Sequence, residues 1–150
     1  MIWVLDTNVV LDWLWFGDQL FTPLARCIDE TQRHGAAILA TRADCREEIV
    51  RVLGYPALRI DTARQHAILA SYDIHHSIFP AMLPPGPDTR PALPTCSDPD
   101  DQKFLELARD AGATWLITRD AALLSLAPRV RLTQNFDIVD PTTAARRLHA

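Results

Sequence analysis

The sequence predicts an α/β fold, a three-layer α/β/α sandwich around a central parallel sheet, on three observations. Short apolar runs of strand length recur at residues 2–5, 36–41 and 114–118, with helical patterns between them. Consecutive rather than alternate positions in these runs are apolar, as in strands covered on both faces. Strand alternating with helix joins parallel neighbours through right-handed crossovers. At 150 residues the chain is expected to form one domain, residues 1–150, long enough to bury a sizeable core.

The stretch Ile-Trp-Val-Leu-Asp-Thr-Asn at 2–8 sets the pattern. Its apolar part reads as a central strand that stops at Asp6, and in open α/β sheets ligands bind beyond the carboxyl ends of strands. Asp6 is therefore a candidate for chemistry and, equally, a cap for the next helix. Residues 9–16 and 20–34 are predicted helices, broken at Gly17 and Asp18. Trp13, Trp15 and Phe16 crowd the first of them. Three large aromatics in four positions cannot share one core stripe, so they are expected either to meet a partner or to fill a packed corner. Gly35 ends the second helix, and 36–41 reads as a second buried strand.

The helix over 42–53 is the most informative. Cys45, Ile49 and Val52 stand at i, i+4 and i+7 and define its buried stripe. Glu48 completes that stripe, whereas Glu47 points to the opposite side with Arg46 and Arg51. An ionisable group on an apolar stripe is expensive unless a partner compensates it. Gly54 and Pro56 stop this helix, and 61–71 forms another. His75 and His76, being adjacent, share no face and read as ordinary polar residues. The stretch from Pro80 to Pro99 holds seven of the eleven prolines and is expected to be a long loop.

A helix follows, with Asp98 as its cap, Pro99 at its first position and Gly112 at its end. Its stripe is Phe104, Leu105 and Ala108. Asp101 heads that stripe and faces inward, while Asp100 is turned about 100° away. The helix dipole favours acids in a first turn without any function, so position on the stripe is what sets Asp101 apart. The strand at 114–118 runs into Arg119 and Asp120, repeating apolar strand, hydroxyl (Thr118) and acid. Residues 121–126 read as a short helix, 129–133 as a short last strand, and 141–148 as a terminal helix capped by Asp140.

Composition narrows the function. With 48% hydrophobic and 23% charged residues, the chain has the balance of a soluble globular protein. No apolar run approaches the roughly 18 residues of a membrane span, and the start lacks a basic n-region and cleavage site, so neither membrane association nor a signal peptide is expected. Cys27, Cys45 and Cys96 lie in no metal-ligand spacing and suit a reducing cytoplasm. A net charge of −4 argues against a broad basic nucleic-acid surface. A cluster of metal-binding carboxylates would itself make the total negative.

In a parallel α/β fold, strand ends and the starts of the following helices share one edge of the sheet. Asp6, Asp101 and Asp120 can meet there, and Glu48 can approach from its helix. Such a cluster repels itself unless cations neutralise it. All-oxygen sites suit Mg²⁺ or Mn²⁺, which can activate water against a phosphodiester. No His or Cys cluster, P-loop or G-x-S-x-G nucleophile offers a rival chemistry.

The segments VLDTNVVLD (4–12), EEIVRVLGYP (47–56), CSDPDDQKFLELA (96–108) and WLITRDAALL (115–124), in this order, resemble the PIN domain family, in particular the bacterial toxins of toxin–antitoxin systems (VapC-like). The resemblance covers residues 2 to about 126. It implies a Mg²⁺- or Mn²⁺-dependent endoribonuclease that leaves a 5′-phosphate and a 3′-hydroxyl. Its acid quartet falls by motif on Asp6, Glu48, Asp101 and Asp120 as catalytic and metal residues, with Asn8 hydrogen-bonding the first acid and Thr118 in a lesser supporting part. It further implies an RNA substrate, an antitoxin partner that covers the acids with a basic side chain, and a homodimer.

The chain departs from the family in three places. Ala121, Ala122 and Leu123 stand where many members carry a further acid. Tyr55-Pro56 replaces an Arg-Pro and is not expected to affect chemistry. The proline-rich loop is long. Arg42, Arg46, Arg119 and Arg129 are candidates for phosphate contacts. Two alternatives stay open: a catalytically silent module of the same fold that binds RNA or protein, and a phosphotransferase with Asp6 as nucleophile, against which Asn8 stands where a second Asp is wanted.

Overall fold

The computed structural model describes residues 1–80 and 86–150. Five parallel strands, β1 (Ile2–Leu5), β2 (Ile38–Thr41), β3 (His76–Ile78), β4 (Trp115–Ile117) and β5 (Asp137–Val139), form one sheet in the order β3-β2-β1-β4-β5. The opening strand lies at its centre. Trp3 pairs with Leu39 on one side and Trp115 on the other, and the Trp3 and Trp115 rings stack at 5.7 Å.

Side chains alternate across the sheet as a strand period of two requires. Trp3, Leu5, Leu39, Trp115, Ile117 and Val139 enter one core, which is covered by α1 (Thr7–Leu11), α2 (Thr22–Arg33), α4 (Thr62–His75) and α8 (Pro141–His149). Val4, Ala40, Leu116 and Ile138 enter the other, covered by α5 (Gln102–Asp110), α6 (Ala121–Leu124) and α7 (Ala127–Thr133). The remaining helix, α3 (Ala43–Leu53), straddles both: Cys45 packs into the second core, and Ile49 and Leu53 into the first. Three layers result, as expected. No helix among the described residues is long and apolar enough to cross a membrane.

Four expectations need correction. Residues 129–133 are not a strand but lie in α7, where Val130 is buried and Leu132 is 87% exposed. Arg-Val-Arg-Leu-Thr mimics strand alternation, but Pro128 in the first turn of α7 favours a helix start, and the last strand is 137–139. The helix expected over 61–71 runs on to His75 and is followed by β3, an edge strand that begins at His76. His76 is therefore buried, with its ring stacked 3.9 Å from Tyr72. The helix expected over 9–16 is α1 followed by a π-helical turn, Asp12–Phe16, which closes at Gly17 in the left-handed conformation, φ 59°. Of the proline-rich loop, residues 81–85 lie outside the described residues. Residues 86–98 form neither helix nor strand, and Gln102 pins the loop's end by accepting from the Cys96 N–H at 2.8 Å.

Candidate active site

The acids gather at the carboxyl edge of the sheet. The Asp6 N–H extends the β1–β4 ladder to the Ile117 carbonyl at 3.1 Å, which sets Asp6 beside Thr118. The Thr118 hydroxyl, fully buried, donates to Asp6 Oδ2 and accepts from the Asp120 N–H at 2.9 Å. Asp6 Oδ1 accepts from the Val9 N–H at 2.9 Å, and Asp120 Oδ1 accepts from the Leu123 N–H at 3.0 Å. Both acids thus cap helices, and capping does not separate a site residue from a helix start.

Glu48 reaches in from α3 and is held on both oxygens. Oε2 accepts from the Thr7 hydroxyl at 2.5 Å, while Oε1 lies 3.3 Å from Lys103 Nζ and 3.6 Å from Arg51. Asp101 closes the 3₁₀ turn Pro99–Asp101 that leads into α5. Asp6, Glu48 and Asp101 line one cleft of about 350 Å³, whose other walls include Asn8, Phe16, Tyr55 and Phe104.

The acids act on one another's charge. Burial pushes the Asp6 carboxyl up to about 6; the Thr118 and Val9 hydrogen bonds oppose this, and the charges of Asp101 and Asp120 add to it. Asp101 is likewise pushed up to about 6, by burial and then by Asp120, Asp98 and Glu48, with Lys103 pulling it down. Asp101 is thus within electrostatic reach of Asp6, Glu48 and Asp120, although Asp120 does not line the cleft itself. Among the described residues, however, no three acid, His or Cys side chains are arranged to enclose a metal ion outright.

Several neighbours differ from expectation. Asn8 lines the cleft, but among the described residues its side chain makes no hydrogen bond to Asp6; Thr118 does. Thr7 and Lys103 emerge as partners of Glu48. Sequence held one signal for Lys103, since it is the chain's single lysine and stands two residues after Asp101. Tyr55, expected to be indifferent, faces the cleft.

Three of the four arginines considered for phosphate contacts are committed elsewhere. Arg42 grips Asp44 and Glu106, each at 2.8 Å, Arg46 grips Asp73 at 2.7 Å, and Arg119 grips the buried Asp12 at 2.6 and 2.7 Å. Arg129 is exposed and has no ion pair among the described residues. Of the aromatic trio, Trp13 packs against Phe21 and His75 and Trp15 lies under Arg64, so only Phe16 is left in solvent, 56% exposed.

Comparison with known proteins agrees with this architecture. A chain from the crystal structure of VapBC2 from Rickettsia felis bound to a DNA fragment from their promoter has a similar fold, with a TM-score of 0.55 at 11% identity, over 93% of this chain and 98% of that one. At that identity the likeness is one of fold alone. No curated protein matches the sequence. The family model for the PIN domain matches residues 3–122, a span that contains all four acids. This chain belongs to the PIN domain family.

Proposed function

We propose that this chain is a Mg²⁺- or Mn²⁺-dependent endoribonuclease, the toxin of a toxin–antitoxin pair. The observation that carries the reading is the gathering of acids, with Asp6, Glu48 and Asp101 lining one cleft and Thr118 joining Asp6 to Asp120, where burial and repulsion by neighbouring carboxylates push Asp6 and Asp101 up to about 6. A divalent cation relieves that repulsion. Carboxylate oxygens suit hard ions, and Mg²⁺ keeps most of its waters and takes only one or two carboxylates, so the residues fit although no three among the described residues enclose a site.

Asp6, Asp101 and Asp120 would hold the ion, directly or through its waters. When bound, it would supply Lewis acidity toward a phosphodiester oxygen. Thr118 fixes Asp6 and Asp120 relative to one another. Glu48, gripped by Thr7, Lys103 and Arg51, orients the water that attacks phosphorus in line. An antitoxin would silence the chain by laying a basic side chain over these acids, and the VapBC2 assembly of the structural neighbour supports such a partner. A homodimer and a cytoplasmic location belong to the same reading.

Incubation with a mixed RNA pool, with and without Mn²⁺, tests it. Cuts that require Mn²⁺, carry 5′-phosphates and vanish in Asp6→Asn are expected. Equal cleavage by Asp6→Asn, or none by the unaltered chain, refutes the assignment.

A catalytically silent module is the second reading. It is favoured by Ala121, Ala122 and Leu123 where a further acid is common, and by the net charge of −4. It expects no Mn²⁺ binding that depends on Asp101.

A further inference from the structure

We infer that Phe16 and Tyr55 form a base-stacking platform at the acid cleft, so that the chain grips a single strand by its bases more than by its phosphates. The inference rests on the nuclease reading and adds what holds the substrate.

Among the described residues, Phe16 at 56% and Tyr55 at 47% are the aromatics left exposed. They come from distant parts of the chain, yet both line the cleft that contains Asp6, Glu48 and Asp101. Each sits on a fixed backbone. Phe16 ends the π-helical turn just before the left-handed Gly17, and Tyr55 donates its N–H to the Val52 carbonyl at 3.0 Å just ahead of Pro56. With the backbone fixed, only the two side-chain torsions of each ring remain to be ordered when a base covers it.

Charge makes stacking the larger contribution. The chain carries −4 overall, and several of its cations are already paired: Lys103 and Arg51 with Glu48 of the cleft, and Arg42, Arg46 and Arg119 with aspartates elsewhere. A cation already paired with a carboxylate is less free to replace counterions along a phosphate backbone. Stacking needs no cation and accepts any base, because every base has a π-face. An apolar protein anchor fits the site less well, since it would desolvate the carboxylates beside the rings without compensating them.

The test is fluorescence anisotropy of a labelled single-stranded RNA, and of an abasic strand of the same length, in Ca²⁺. Phe16→Ala and Tyr55→Ala are each expected to weaken binding of the base-containing strand at least about fivefold, from the usual worth of one stacked base. Phe16→Trp and Tyr55→Phe should restore it. The unaltered chain should bind the abasic strand more weakly by a similar factor, and the alanine variants should lose nothing further on it.

Equal binding of the two strands by the unaltered chain overturns the inference, as does an equal loss on both strands in the alanine variants. So does a loss confined to a protein partner. In each of those cases Mn²⁺-dependent cleavage by the unaltered chain leaves the nuclease reading standing. A chain that neither binds nor cuts RNA ends both.

Discussion

Thr118 donates its hydroxyl proton to Asp6 Oδ2, and its own Oγ1 accepts the Asp120 N–H at 2.9 Å. One buried side chain therefore links two acids that follow different strands. The bond favours the ionised form of Asp6 and opposes the burial that pushes it up to about 6. Thr118→Val keeps the shape and removes the bond. Asp6 should then titrate higher, and the acidic limb of Mn²⁺-dependent cleavage should move up by about one pH unit, with a stability cost of about 1–2 kcal/mol. A pH–rate profile with an unmoved limb would contradict this.

Stability against pH contains two opposed contributions. Asp6 is raised from 3.8 to about 6, so its ionisation weakens the fold as pH rises through that window. His76, buried with Nε2 unpartnered, is lowered from 6.5 to about 4, so its contribution is complete above 6.5 and is lost as pH falls toward 4. Each is of order 3 kcal/mol, and they nearly cancel. The unaltered metal-free chain should show a shallow pH dependence between 4 and 6.5. Asp6→Asn should lose stability as pH falls through that range, and His76→Phe should gain it. Denaturant titrations at pH 4.5 and 7 check both signs.

Lys103 holds Glu48 at 3.3 Å and pulls Asp101 down. Lys103→Met removes a positive charge from the acids, so Mn²⁺ should bind about tenfold tighter by Coulomb attraction. Turnover should fall nonetheless, because Glu48 loses a support. Arg51→Met should do much less, since Arg51 is 58% exposed and 3.6 Å away. Calorimetry with Mn²⁺, together with kcat, separates the two effects; weaker Mn²⁺ binding in Lys103→Met would count against them.

Arg119, adjacent to Asp120, is a structural clamp rather than a phosphate contact. It holds Asp12, which burial pushes above its usual range and Arg119 pulls back. Arg119→Met should cost about 2–3 kcal/mol, below the figure for a fully buried pair because the arginine is 46% exposed. Pairing it with Asp12→Asn should recover part of that loss. The salt slope of RNA binding should change by less than about one in either variant. A larger change would restore the phosphate contact.

The sheet's centre and the four acids were legible because they follow local periodicity: an apolar run ending at Asp6, Glu48 on the stripe of Cys45 and Ile49, and Asp101 ahead of Phe104. What escaped depends on distant partners. Thr7 is defined by Glu48, Arg119 by Asp12, and Arg42 by Glu106, pairs that no local pattern connects. His76 was hidden because a helix runs into an edge strand with no glycine or proline between them. Tyr55 was hidden because its exposure matters only through the cleft it faces.

Mn²⁺ titration followed by the paramagnetic signal of the free ion tests most directly whether these carboxylates act as one cation site. The unaltered chain should remove free Mn²⁺ saturably, and Asp6→Asn and Asp101→Asn should each weaken binding about tenfold or more while keeping the unaltered circular dichroism spectrum. Binding that is absent in the unaltered chain, or as tight in either variant as in the unaltered chain, would mean that the acids share a cleft but not an ion.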